Sequence, residues 1–156
     1  MRTAACLAVL MSVVVLPKGP ASAAPAAGAA PRVVQMQTGD NMKYTPAAIT
    51  AAPGESITVV LKHTGQMPKM AMGHNFVLLK KASDAKGIVD KCASARDTEF
   101  IAADVKPQLI AYTKLVGPGE TVEVTFTAPK QPGGYLFVCT FPGHFAMGMK
   151  GTLTVK

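Results

Sequence analysis

Seven short runs of β-branched and aromatic residues, each bounded by turn residues such as glycine, proline or asparagine, leave this chain little to fold into except a sandwich or barrel of strands. Residues 33–37 end at Thr38-Gly39-Asp40-Asn41, and residues 57–63 (ITVVLKH) start just after Pro53-Gly54-Glu55. Residues 75–79 (NFVLL) follow Gly73-His74, and 109–116 (LIAYTKLV) stop at Gly117-Pro118-Gly119. Residues 121–127 alternate strictly, with Val122, Val124 and Phe126 on one face. Residues 135–139 follow Pro132-Gly133-Gly134, and 151–155 close the chain. One segment has a different period: residues 83–96 (SDAKGIVDKCASAR) place Ile88, Val89 and Cys92 on one helical face, with Ser83 or Asp84 as N-cap. Gly87 weakens that helix without cancelling it. The expected class is all-β with one short inserted helix.

The front of the chain is set apart. Met1-Arg2 is a positive start, and residues 3–16 form an apolar stretch about as long as a signal-peptide core and short of the ~20 residues that span a bilayer. Ala21-Ser22-Ala23 fits a signal peptidase, so residues 1–23 are expected to be removed; an uncleaved anchor is the alternative. Residues 24–31 (APAAGAAP) read as a flexible linker, leaving one folded domain over 32–156. No later run is long enough to cross a membrane, so the mature product should be soluble, without membrane insertion, and monomeric. Arg2 and Lys18 leave with the leader, which takes 16 Lys+Arg to 14 against nine Asp+Glu, a surplus of +5. The lysines are scattered and not interleaved with aromatics, which argues against nucleic acid and for a solvated surface biased toward acidic partners.

Cys6 lies in the leader, so the mature chain keeps Cys92 and Cys139. A disulfide between them is rejected because Cys139 belongs to a group of ligand-type side chains; Cys92 is expected as a buried or helix-borne free thiol. That group is Cys139-Thr-Phe-Pro-Gly-His144-Phe-Ala-Met147-Gly-Met149, a loop held between two strands. Thiolate and thioether suit Cu(I), and imidazole serves both oxidation states; two histidines and a cysteine with a weak axial methionine make a blue-copper site. The chain has three histidines, so the second imidazole comes from His63 or His74. His74 is favoured because Met72-Gly73-His74-Asn75 opens a strand and Gly73 lets its carbonyl approach a metal. His63 reads as a partly exposed strand residue.

Together these residues resemble the cupredoxin, or blue type 1 copper, family. The likeness runs from about Val33 to Lys156 and is carried by Met67-Pro68-Lys69, by Met72-Gly73-His74-Asn75-Phe76-Val77 and by the stretch IAYTKLVG at 110–117. Cys139-Thr140-Phe141-Pro142-Gly143-His144 and Met149-Lys150-Gly151-Thr152-Leu153 complete it. The resemblance implies an eight-stranded Greek-key sandwich or barrel with a helical flap, one type 1 copper per chain, and one-electron transfer in the periplasm. It implies Cys139 as the thiolate, His74 as the buried imidazole, His144 as the imidazole nearer solvent, and the Gly73 carbonyl as a distant axial contact. Asn75 would tie the two ligand loops together. The family's axial methionine comes four residues after the loop histidine, where this chain has Gly148 between Met147 and Met149. Matching the following Lys150-Gly151 selects Met149 and implies a one-residue insertion, with Met147 left open. The cysteine pair that bridges the family's early strands is also missing.

The expected docking patch around the His144 edge is Met42, Met72, Phe141, Phe145 and Met147. The implied redox partners are a c-type cytochrome or a copper or haem reductase. The competing reading is copper storage or delivery, suggested by Met67, Met70 and Met72 beside Met147 and Met149. An enzyme is not expected: with the histidines assigned, no second His/Asp/Glu cluster remains for an open metal site.

Overall fold

A computed structural model of the protein describes residues 30–80 and 82–156; the expected signal segment and most of the linker lie outside them. Among the described residues there are eight strands: β1 (Arg32–Thr38), β2 (Ala48–Ala51), β3 (Ser56–His63), β4 (Val77–Leu79), β5 (Leu109–Tyr112), β6 (Thr121–Thr127), β7 (Gly133–Val138) and β8 (Lys150–Val155). They form two sheets, ordered β1-β3-β6 and β2-β8-β7-β4-β5. The pairs β1·β3 and β2·β8 are parallel, and the remaining neighbours are antiparallel.

The alternating residues of β3, Ile57, Val59 and Leu61, face the inner side together with Val34, Met36, Phe76, Phe126, Phe137 and Leu153. Burying side chains of this size is worth about 1.5–3 kcal/mol each, which is what holds two sheets face to face. Strand β4 is buried along its whole length because its sheet is covered on both sides. Leu78 points into the main core, whereas Val77 and Leu79 pack under the helix α2 (Ala85–Cys92) through Ile88, Val89 and Cys92. The predicted helical face is therefore the buried one.

Several boundaries differ from the sequence reading. The strand expected over 75–79 starts at Val77, because the Phe76 N–H goes to the Thr113 hydroxyl (3.0 Å) instead of a ladder carbonyl. His74 still pairs with Val116 as an isolated bridge, so the far end of the 109–116 run is held although β5 itself stops at Tyr112. Strand β2 was not anticipated; its sequence, AITA, has only two β-branched residues between alanines and is too short to show a period, and parallel pairing with β8 makes it a strand. The single expected helix is joined by a one-turn helix, α1 (Lys69–Met72), and by 3₁₀ turns at Ala82–Asp84, Arg96–Thr98 and Ala103–Gln108. Among the described residues, no helix is long and apolar enough to cross a membrane.

Candidate metal centre

At one end of the sandwich, three buried donors converge. His74 follows α1 and is fixed by its bridge to Val116, while Cys139 and His144 sit on the loop between β7 and β8. His74 Nδ1 and His144 Nδ1 are 3.1 Å apart, and Cys139 Sγ lies 3.5 Å from His144 Nδ1 and 4.0 Å from His74 Nδ1. A trigonal ion held at roughly 2.0–2.3 Å by such donors would separate them by about 3.5 Å. The triangle fits a single ion.

The tautomer of His74 is set before any metal arrives. Its Nε2 lies 3.0 Å from Gly39 O, and a carbonyl only accepts, so Nε2 carries the hydrogen and Nδ1 presents its lone pair to the site. Electrostatics favour neutral rings as well. Burial, then the nearby His144 and His63, push His74 down to about 3, and burial pushes His144 down to about 4. Burial raises the Cys139 thiol to about 12, opposed by donors on Asn75, Phe141 and Tyr44. Without a cation the sulfur keeps its proton, so binding a metal means displacing one. Soft sulfur beside two neutral imidazoles, closed to solvent, is a donor set suited to copper.

Around this triangle the polar groups are paired. The Asn75 side-chain oxygen accepts the Thr140 N–H (2.9 Å), and its amide donates to Thr140 Oγ1 (2.8 Å), joining the two ligand-bearing segments. The Thr140 hydroxyl in turn donates to Phe100 O (2.7 Å). Phe100 has φ +61°, a left-handed conformation costly for a bulky residue. It is held there by this bond and by edge-on packing of its ring against Phe141 at 4.9 Å.

His63 corrects the sequence reading. It is fully buried rather than partly exposed, and it stacks on His74 at 5.0 Å. Its Nε2 donates to Met72 O (3.1 Å) and its Nδ1 accepts the Gly65 N–H (3.0 Å), so both nitrogens are occupied. It buttresses a ligand and is not grouped with the three donors. Gly73 has a packing reason to lack a side chain: a Cβ there would meet Lys69 O at 2.5 Å and Leu115 Cδ2 at 2.7 Å.

Met149 is fully buried, whereas Met147 is 63% exposed. The Met149 N–H donates to His144 O (2.9 Å), and its carbonyl accepts the Cys139 N–H (3.3 Å), pinning its backbone between two donors. Gly148, at the position of the implied insertion, has φ +84°, which glycine adopts freely. Of the expected surface patch, Met147 is exposed, and Met42, Met72 and Phe145 are half-buried. Phe141 is different: only 8% exposed and stacked on His144 at 4.6 Å, it forms a wall of the site. Cys92 and Cys139 are both free and buried, and Cys92 ends α2 on its buried face, in a core cluster separate from that of Cys139. Tyr44, which the sequence reading passed over, is buried and donates its hydroxyl to Asn75 O.

Comparison with known proteins agrees with this geometry. The description "Copper binding proteins, plastocyanin/azurin family" matches residues 31–156. Azurin of Pseudomonas aeruginosa is 46% identical over 127 residues, covering 79% of this chain and 84% of that protein. The outer membrane protein H.8 of Neisseria meningitidis is 38% identical over 122 residues, 77% of this chain and 65% of that one. Among solved structures, reduced auracyanin of Roseiflexus castenholzii superposes with a TM-score of 0.71 at 37% identity, covering 83% of this chain and 99% of its own. A match across almost the entire sandwich, with relatives this similar and a copper-type donor set at its end, places the chain in the plastocyanin/azurin family of copper-binding proteins.

Proposed function

We propose that the protein is a periplasmic electron carrier that shuttles one electron at a time through a single type 1 copper held by His74, Cys139 and His144. The observation that carries this reading is the preformed triangle of buried donors, with one imidazole already locked in its ligating tautomer. A bound copper supplies the Cu(II)/Cu(I) couple. The protein's part is to keep the donors from rearranging between oxidation states and to keep water out. His74 and Cys139 are fully buried and His144 is only 4% exposed, so little solvent need reorganise when charge moves. The apolar leader and the likeness to an outer membrane protein of Neisseria both favour export. Adding Cu(II) to the purified mature protein should give an intense visible band and a reversible one-electron wave. Failure of that wave to appear would remove the carrier reading.

Met149 and the Gly73 carbonyl would be the weak further contacts of a copper bound at the triangle, with Met149 in the role of the axial sulfur. Its burial beside Cys139 and His144 supports this, and exposed Met147 has no such placement. A weak axial sulfur donates more to Cu(II) than to Cu(I) and so lowers the potential. Met149→Leu is expected to raise the midpoint potential while leaving the site blue, and Met147→Leu to leave it unchanged. Voltammetry of the two variants decides the assignment, and the opposite pattern would transfer the axial role to Met147.

Electrons are proposed to leave through the His144 end, across Met42, Met72, Phe145 and Met147, to a c-type cytochrome or a copper or haem reductase. Small apolar contacts suit brief redox encounters, which bury little area. Met72→Lys should slow electron exchange at least several-fold by placing an unpaired charge in the contact, with the visible spectrum unaltered. Stopped-flow exchange at the wild-type rate would exclude Met72 from the contact. Copper delivery is the second reading, favoured by exposed thioethers at Met67, Met70 and Met147. A cargo protein would retain Cu(I) and show no reversible wave.

A further inference from the structure

We infer that the turn at Glu99–Phe100, which belongs to none of the ligand-bearing segments, is a clamp that holds the three donors at their spacing, with Glu99 as a positioning residue. The inference rests on the reading of His74, Cys139 and His144 as a metal site and concerns what keeps that triangle together.

Glu99 and Phe100 stand at φ +54° and +61°, so two consecutive residues with side chains occupy the left-handed region that glycine adopts freely. Costly conformations of this kind persist where the surroundings over-determine them, and they gather at functional sites. The backbone here is held in that way. The Glu99 N–H donates to Arg96 O (3.1 Å), the Phe100 N–H to Ala95 O (2.8 Å) and the Ile101 N–H to Thr98 O (3.1 Å). A glycine at either position would relieve the backbone, and it would also remove a group that the turn extends toward the metal end.

From this turn, contacts run toward each of the three donors. The Glu99 carboxylate accepts the Leu115 N–H (3.3 Å). Leu115 precedes Val116, whose reciprocal hydrogen bonds with His74 (2.7 and 3.0 Å) fix that ligand's backbone. The Leu115 side chain also packs where a Cβ on Gly73 would meet it at 2.7 Å. On the other side of His74, the Asn75 amide donates to Glu99 O (3.4 Å). Phe100 O accepts the hydroxyl of Thr140, next to Cys139, at 2.7 Å. The Phe100 ring packs against Phe141, which in turn stacks on His144. Two adjacent residues therefore tie the His74 segment to the loop that carries Cys139 and His144. Of these contacts, the Glu99 carboxylate is the one a substitution removes while leaving both carbonyls in place.

The test is competitive zinc titration of the full mature chain and its variants at a temperature where all are folded, beside amide hydrogen exchange of the metal-free proteins. Zinc is a redox-silent probe for two imidazoles and a thiolate. Glu99→Ala loses the acceptor for the Leu115 N–H. It is expected to bind zinc about tenfold more weakly, the lower end for loss of a group that orients metal ligands. Its Leu115 amide should exchange about tenfold faster, having lost its protecting bond. Glu99→Gln keeps an acceptor oxygen, and should restore most of both, since a neutral acceptor is about half as strong as a charged one. A side chain that only stabilises the fold would change the melting temperature and leave the affinity of the folded protein alone. Unchanged zinc affinity in Glu99→Ala overturns the inference, as does a Glu99→Gln protein that binds as weakly as Glu99→Ala. Should Glu99→Ala not fold, Glu99→Gly, relieved of the strain at φ +54°, takes its place in the titration, and wild-type affinity there overturns the inference. A wild-type protein that binds zinc at the triangle yet gives no reversible copper wave would sink the electron-carrier reading, with the clamp still decided by the zinc affinities.

Discussion

Cys139→Ser is expected to abolish both the intense visible band and the reversible redox wave while leaving a folded protein. The band of a copper thiolate arises from charge moving between sulfur and metal, so no other donor in the site can supply it. A serine hydroxyl does not deprotonate under these conditions and is too hard a ligand for Cu(I). Folding should survive, because the new oxygen inherits the donors on Asn75 and Phe141 and the volume change is small. A penalty within about 1–2 kcal/mol follows from comparably small core changes. Cys92→Ser gives the contrast. It buries a hydroxyl on the inner face of α2, in the cluster that holds Ile88, Val89 and Val105, and should lower stability without touching the spectrum. Visible spectra and voltammetry of the two variants separate ligand from bystander. A blue, redox-active Cys139→Ser protein would leave the copper assignment without its central ligand.

The donors were legible because their chemistry is rare: one cysteine and one histidine within six residues, with Gly-His upstream, have few structural uses. Seven strands were legible because turn residues mark their ends. β2 escaped because Ile49 and Thr50, flanked by alanines, make too short a run to mark a strand until β8 lies beside it. The burial of His63 was readable and went unread. Ile57, Val59, Leu61 and His63 share the parity of β3, so the alternation that buries the first three also buries the fourth. The same argument from β8 turns Met149 inward with Gly151, Leu153 and Val155. Tyr44 offered no such signal. It lies between β1 and β2, in a segment joined to β1 by one isolated bridge, so no periodicity announces which way its ring points.

Asn75→Leu is expected to loosen the two ligand-bearing segments from each other and to weaken both the fold and the metal site. The side chain is fully buried, and leucine matches its size without its hydrogen bonds. The Thr140 N–H loses its acceptor at 2.9 Å, and Thr140 Oγ1 loses its donor at 2.8 Å. Thr140 keeps its bond to Phe100 O, so one backbone donor is left buried and unserved rather than the whole cluster. An orphaned buried donor costs about 1–3 kcal/mol, and the other lost bond about 1 kcal/mol more. For a domain of this size, a total of about 2–4 kcal/mol lowers the melting temperature by roughly 10 °C. The effect on copper should be larger than that loss of stability suggests. His74 precedes Asn75 and Cys139 precedes Thr140, so the broken pair lies directly beside two of the three donors. Removing groups that orient metal ligands commonly costs 10–100-fold in affinity. Calorimetric melting of the metal-free variant and competitive copper titration measure the two effects separately. A melting loss with unchanged copper affinity would mean that β7, β8 and the His74–Val116 bridge hold the donors without help from Asn75.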